Sequence, residues 1–159
     1  MNKHTISIIM AVAILLAGCG KKGATPVAQA TITAWQEGDT SGAVSNFVAA
    51  DWSARPLFAS DSTLSITEAQ VRLLSAADSK TKAKDLGLQL DLLKKLAAAV
   101  IQAGTNSAAH GDFAQARKYF VSLEQFGAAM NNPGHVKLVQ LVGLSIKQRA
   151  DTELTKIGQ

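Results

Sequence analysis

The chain has 159 residues, of which 47% are hydrophobic, 5% are aromatic and three are proline. This length is enough for one domain with a buried core, and much Ala, Leu, Lys and Gln with little Pro favours helices over a β-sandwich or barrel. The net charge of +4 comes from scattered basic residues with one cluster, Lys80, Lys82 and Lys84. A nucleic-acid binder would concentrate such charge on one face, so we expect no nucleic-acid partner and interpret the cluster as solvated.

The N-terminus has the layout of a secretory signal peptide. Lys3 precedes an apolar run over residues 6–17, which is shorter than the roughly 20 residues needed to cross a bilayer. Small residues follow the run and end at Gly18, directly before Cys19, the single cysteine of the chain. One cysteine excludes an internal disulfide and a cysteine-built zinc site.

The four residues Leu16-Ala17-Gly18-Cys19 resemble the lipobox of bacterial lipoproteins. Membership of that family implies cleavage between Gly18 and Cys19 and a diacylglycerol on the Cys19 thiol. We therefore expect a signal peptide at 1–18, a lipidated tether at 19–25 and one domain at 26–159. Gly20 stands where Asp is associated with inner-membrane retention in enterobacterial lipoproteins, so the resemblance favours the outer membrane. Lys21 and Lys22 either meet anionic headgroups or only solvate the tether.

The first folded stretch predicts an αα-hairpin. Pro26 suits the first turn of a helix, and apolar residues at helical spacing continue to about Glu37. Gly38-Asp39 breaks this helix, and a second helix follows as far as Trp52.

Residues 53–64 lose the helical period, are rich in Ser and contain Pro56, so they predict a loop. Trp52 and Phe58 lie at this loop, which is the one place where the sequence predicts an exposed binding surface. Core or rim packing is the competing interpretation of Trp52, because aromatic side chains carry much of a small core.

Three longer helices are predicted after the loop. A shorter helix comes first. Ser65 and Glu68 form its capping box, and its inward residues are predicted to be Ile66, Ala69, Leu73, Ala76 and Ala77. Residues 78–84 are then either a break or a continuing turn. Helices over about 85–109, 113–130 and 135–156 follow, separated by Gly111-Asp112 and by the turn at 131–134. The last helix is apolar on nearly all sides up to Ile146, which predicts a place in the domain centre. The fold class is therefore all-α, with five or six helices in antiparallel hairpins.

The two Gly-Asp turns open similar motifs. Ala43 and Phe47 follow Asp39 by four and eight residues, and Ala116 and Phe120 follow Asp112 at the same spacing. This pattern resembles the second half of a tetratricopeptide repeat, which implies stacked helical hairpins. An irregular helical bundle is the alternative, because the copies do not keep the 34-residue period of that family.

The sequence offers no catalytic constellation. His110 and His135 lie at helix boundaries, where a capping role and a surface position are expected, respectively. His110 and Asp112 alone are too few ligands for a metal site. No P-loop or Gly-x-Ser-x-Gly motif is present, and we expect no cofactor.

These observations predict a membrane-anchored lipoprotein that acts as a non-enzymatic helical module and binds another protein of the cell envelope. The alternative is a periplasmic small-ligand-binding protein or enzyme with a pocket between helices.

Replacing Cys19 with Ser tests the anchor directly. Because Ser offers no thiol for acylation, we expect Cys19→Ser to abolish labelling by a radioactive fatty acid and to move the chain to the supernatant after a high-salt wash. A variant that stays with the membrane as an uncut chain would show that the N-terminal segment is a different kind of anchor.

Overall fold

The computed structural model describes residues 25–158. The predicted all-α class is confirmed for this part of the chain, which contains six α-helices, one short 3₁₀-helix and no strand. The helices are α1 (Gln29–Gln36), α2 (Thr40–Ala49), α3 (Glu68–Arg72), α4 (Ala76–Ala109), α5 (Phe113–Met130) and α6 (Lys137–Ile157), and the 3₁₀-helix is Thr63–Ser65.

Both Gly-Asp turns form as the sequence predicts. Gly38 and Gly111 have φ angles of 82° and 81°, a left-handed conformation that costs glycine little. Asp39 then caps α2 by accepting a hydrogen bond from the Gly42 N–H at 2.8 Å. Asp112 caps α5 in the same way. The α1–α2 and α4–α5 pairs are therefore antiparallel hairpins with the same turn chemistry.

The alanine and the phenylalanine that follow each Gly-Asp turn lie in the core. Ala43, Phe47, Ala116 and Phe120 are all at most 1% exposed. A Cβ atom built on Gly104 would lie 2.5 Å from the Phe120 ring, so this ring packs directly on the backbone of α4. The shared spacing of the two motifs is explained by helix packing.

A buried polar contact joins the first hairpin to α5. The Ser122 hydroxyl donates to the Phe47 carbonyl at 2.9 Å. The Trp52 indole N–H reaches both Ser122 Oγ at 2.9 Å and the same carbonyl at 3.1 Å. The Phe126 ring packs with Phe47 and Trp52 at centroid distances of 5.1 and 4.7 Å. The last turn of α2 thus receives donors for a carbonyl that no helical N–H can reach.

Helices α5 and α6 share the most extensive helix–helix interface because two glycines allow their backbones to approach. A Cβ atom on Gly127 would lie 2.6 Å from the Gly143 carbonyl oxygen. On Gly143 it would lie 2.5 Å from the Met130 Cβ. Larger residues at either position would push the helices apart.

The prediction for residues 65–77 is wrong in its cap and in its inward face. The Ser65 hydroxyl donates to the Ser62 carbonyl at 2.7 Å, and the capping box is formed instead by Thr67 and Gln70. The helix that follows has only five residues. The residues predicted to point inward at its end are exposed, Leu73 to 87%, because no other segment covers them.

Residues 78–84 continue as helix, since α4 begins at Ala76 and is capped by Ser75. At 1.5 Å per residue, its 34 residues extend about 51 Å, whereas α5 has only 18 residues. The N-terminal part of α4 therefore extends past α5. The residues from Ala76 to Lys84 are exposed there apart from Ser79, which is half-buried.

The contact between Trp52, Ser122 and Phe47 can be tested by a double-mutant cycle. Trp52→Phe and Ser122→Ala each leave the Phe47 carbonyl one donor, so we expect losses of about 1–2 kcal/mol in the free energy of unfolding. The double variant leaves a buried carbonyl with neither donor, so its loss should exceed the sum of the single losses. Urea denaturation measures all three variants.

Trp35→Phe is the matched control for this cycle. Because Trp35 is only half-buried, this substitution should lower the free energy of unfolding less than Trp52→Phe does. Strictly additive losses in the cycle would contradict the shared carbonyl.

Candidate functional site

Trp52 and Phe58 do not form an exposed binding surface, so that prediction is wrong. Trp52 is 2% exposed and Phe58 3%. The indole is held between α2 and α5 by its hydrogen bonds and by the aromatic rings around it. Core packing, the competing interpretation of Trp52, is what the structure shows.

Phe58 is buried because the loop after α2 folds back on the start of α1. The Val27 and Ala28 N–H groups donate to the carbonyls of Pro56 and Leu57 at 2.9 and 3.0 Å. These hydrogen bonds fix the backbone at the start of α1, where no side chain caps the helix. They also hold the loop so that Leu57 and Phe58 point into the core.

Beside Phe58 lies a cleft of about 240 Å³ between α1 and α4. Its walls mix apolar and neutral polar side chains, with Asp61 the one charged residue, and it is open to solvent on one side. Ligand sites usually have about 300–1,000 Å³ and enclose most of the ligand. The cleft is therefore smaller and more open than a typical small-molecule site.

A second concavity, the α3–α6 groove, has a volume of about 210 Å³ and is mainly apolar. It is lined by residues of the 3₁₀ region, α3, the start of α4 and the start of α6, namely Thr63, Ile66, Glu68, Val71, Leu74, Ser79, Lys82, Ala83, Leu86, Val136, Lys137 and Leu138. Glu68, predicted to cap its own helix, instead accepts a hydrogen bond from the Lys137 N–H at 2.8 Å. The sequence contained no signal for this groove, because α3 and α6 are far apart along the chain.

The outer face of α6 is apolar and exposed. Leu138 and Leu141 are each 49% exposed, and Leu144 is 37% exposed. On the opposite side of the helix, Val139 and Ala150 are buried in the core. The predicted central position of this helix is wrong, because only one of its apolar faces meets the rest of the chain.

The two histidines have different environments. His110 ends α4, where its Nδ1 atom lies 2.7 Å from the Asn106 carbonyl oxygen, so the expected capping position is confirmed. His135 was expected at the surface but is half-buried. Its ring packs edge-to-face on Phe58 at 5.9 Å, and its buried Nδ1 atom has no hydrogen-bond partner among the described residues.

Residues 25–158 contain no group of three or more His, Cys, Asp or Glu side chains placed to hold a metal ion. Asp112, the second ligand considered with His110, accepts a hydrogen bond from the Gln115 N–H at 2.9 Å. Gly18 and Cys19, the cleavage and lipidation residues of the sequence prediction, lie outside the described residues, as does the tether up to residue 24.

Comparison with protein-family models, with curated proteins and with solved structures gives no match to this chain. Of the helices in the described region, none combines the length and the apolarity that crossing a bilayer requires.

The half-buried His135 predicts a pH-dependent stability. Burial of the ring lowers the pKa of His135 below its ordinary value of 6.5; a hydrogen bond with the Leu64 backbone opposes this shift and the positive charge of Arg55 adds to it. Between the unfolded and folded pKa values, the unfolded state binds a proton that the folded state does not. We therefore expect the free energy of unfolding to fall as the pH drops below about 6.5. His135→Leu should flatten this part of the profile, as measured by urea denaturation from pH 7.5 to 5. A slope unchanged in the variant would assign it to other groups.

Proposed function

We propose that the protein is a bacterial lipoprotein, anchored through Cys19 at the periplasmic face of the outer membrane. Its helical domain is a non-enzymatic binding module whose partner is an amphipathic helix of another envelope protein. The partner helix lies along the outer face of α6. The lipobox resemblance of residues 16–19 supports the anchor, and the exposed leucines of α6 support the binding module.

The observation that carries the proposal is the mismatch between the composition of α6 and its burial. A helical segment that is apolar on nearly all sides, as α6 is up to Ile146, is normally covered, yet its face with Leu141 and Leu144 is exposed to solvent. Contiguous exposed apolar residues mark interaction sites on soluble domains. A partner helix would cover this face.

The shape of the α6 face fits a helical partner. Leu138, Leu141 and Leu144 follow one another in steps of three, which places them on a ridge about 9 Å long. Ser145 and Gln148 are exposed beside it and carry no charge. A partner would therefore be recognised by an apolar stripe at helical spacing.

The alternative, a small-ligand-binding protein or an enzyme with a pocket between helices, has less support. The α1–α4 cleft and the α3–α6 groove both fall below the usual volume of ligand sites. Three other concavities have volumes of about 390, 410 and 510 Å³, but they are more open to solvent and enclose a ligand less. The polar side chains of the α1–α4 cleft are Gln29, Gln36, Asp61, Ser62 and Gln89. Two of them are already paired, because the Ser62 hydroxyl donates to Gln89 at 2.9 Å, and the cleft is open to solvent on one side.

Site-specific photocrosslinking in intact cells tests the α6 face. A photoreactive amino acid at position 141 or 144 should give one discrete product with another envelope protein, and Leu144→Glu should reduce the product from position 141 about tenfold or more. The reason is that a charge at the centre of an apolar contact is desolvated without a partner.

Position 88 provides the matched control, because Leu88 is 64% exposed on α4 and should give no such product. Equal products from positions 88 and 141 would contradict the proposal. A product with twice the mass of the chain would show that the partner is a second copy of this chain and not another envelope protein.

A further inference from the structure

We infer that the end of the bundle around the α3–α6 groove rests on the phospholipid headgroups of the anchoring membrane. This headgroup surface consists of Arg72, Leu73, Lys82, Lys137 and Leu138. It would give the protein a second membrane contact, separate from the lipid on Cys19. It adjoins the outer face of α6 and shares Leu138 with it, whereas Leu141 and Leu144 lie outside it. The inference rests on the proposed anchoring in one respect, which is that the anchor holds this end near the bilayer.

Contacts between neighbouring segments place the headgroup surface at the end where the described chain begins. The Val27 N–H donates to the Pro56 carbonyl at 2.9 Å, and two residues later the Phe58 ring packs on His135. The Val136 N–H donates in turn to the Ile66 carbonyl at 3.3 Å, between the 3₁₀-helix and α3. The start of α1, the loop, α3 and the start of α6 therefore meet at one end of the molecule.

The chain length between the lipid and the fold limits how far this end can move from the bilayer. Six peptide units separate Cys19 from Thr25. Even fully extended, they span at most about 22 Å. An anchor at Cys19 therefore holds the start of α1, and with it the headgroup surface, within reach of the lipid headgroups.

The apolar residues of this end protrude. Leu73 is 87% exposed at the end of α3, and Leu138 is 49% exposed in the first turn of α6. The groove that Leu138 lines is mainly apolar and has a volume of about 210 Å³. Protruding leucines beside cations are the composition of surfaces that enter the headgroup layer.

The charges at this end favour an anionic surface. Lys82 and Lys137 line the groove, and the ion pairs between described residues involve neither of them nor Arg72. The nearby carboxylates of Glu68 and Asp78 accept hydrogen bonds from the Lys137 N–H and the Ser75 hydroxyl at 2.8 and 2.6 Å. Cations without carboxylate partners gain most from anionic headgroups.

Vesicle binding by the unlipidated mature chain tests the surface without the anchor. The chain from residue 19 with Cys19→Ser contains every buried core residue of the described part, since these begin at Ala28. We expect it to sediment with vesicles of phosphatidylglycerol and phosphatidylethanolamine, to bind phosphatidylcholine vesicles much less, and to be released by high salt.

Variants of exposed residues localise the contact. Arg72→Gln, Lys82→Gln and Lys137→Gln should each lower the partition coefficient about fivefold. Leu73→Ser with Leu138→Ser should lower it several-fold at constant charge. A control at the opposite end, Phe113→Ser with Arg117→Gln and Lys118→Gln, removes similar groups and should change it less than about twofold.

Two outcomes would overturn the inference. One is equal loss of binding in the control variant, which would mean that net charge alone drives binding. The other is no binding to anionic vesicles, and a photocrosslink from position 73 to an envelope protein would then identify this surface as a protein interface. Either outcome is independent of the anchor, which fatty-acid labelling of the full chain tests separately.

Discussion

The fold depends on one buried carbonyl and the two side chains that bond it. The Phe47 carbonyl belongs to the last turn of α2, beyond the reach of a helical N–H, and it lies in the core. Trp52 and Ser122 supply its donors, and they come from segments 70 residues apart. Because an unbonded buried carbonyl is costly, this requirement fixes how the first hairpin sits on α5. The aromatic rings of Phe47, Trp52 and Phe126 then pack around the bonded group.

This arrangement explains why Trp52 and Phe58 are not available for binding. With few aromatic residues in the chain, most of the large ones are used to fill the core. The surfaces left for partners are therefore made of leucines at the edges of the bundle, on the outer face of α6 and at the end of α3. At both places no other described segment packs over the leucines, so they remain exposed to solvent.

The two surfaces divide the molecule in a way that suits an anchored module. The end near Thr25, with Leu73 and Lys82, points towards the proposed membrane. The outer face of α6 runs from that end towards the far side of the bundle, so Leu141 and Leu144 stay free for a protein partner. The close backbone approach at Gly127 and Gly143 fixes α6 on α5, so that this face is presented on a rigid support.

The sequence by itself determined the features that depend on neighbouring residues. The helix of residues 113–130, the Gly38 and Gly111 turns and the Asp caps could be predicted, because φ preference, capping and helical period act over one or two turns. Only the tertiary structure decided which apolar faces were covered. The short α3, the exposed leucines of α6, the α3–α6 groove and the burial of Trp52 depend on segments distant in sequence. Burial is set by what other parts of the chain pack against a residue, and helical periodicity alone does not carry that information.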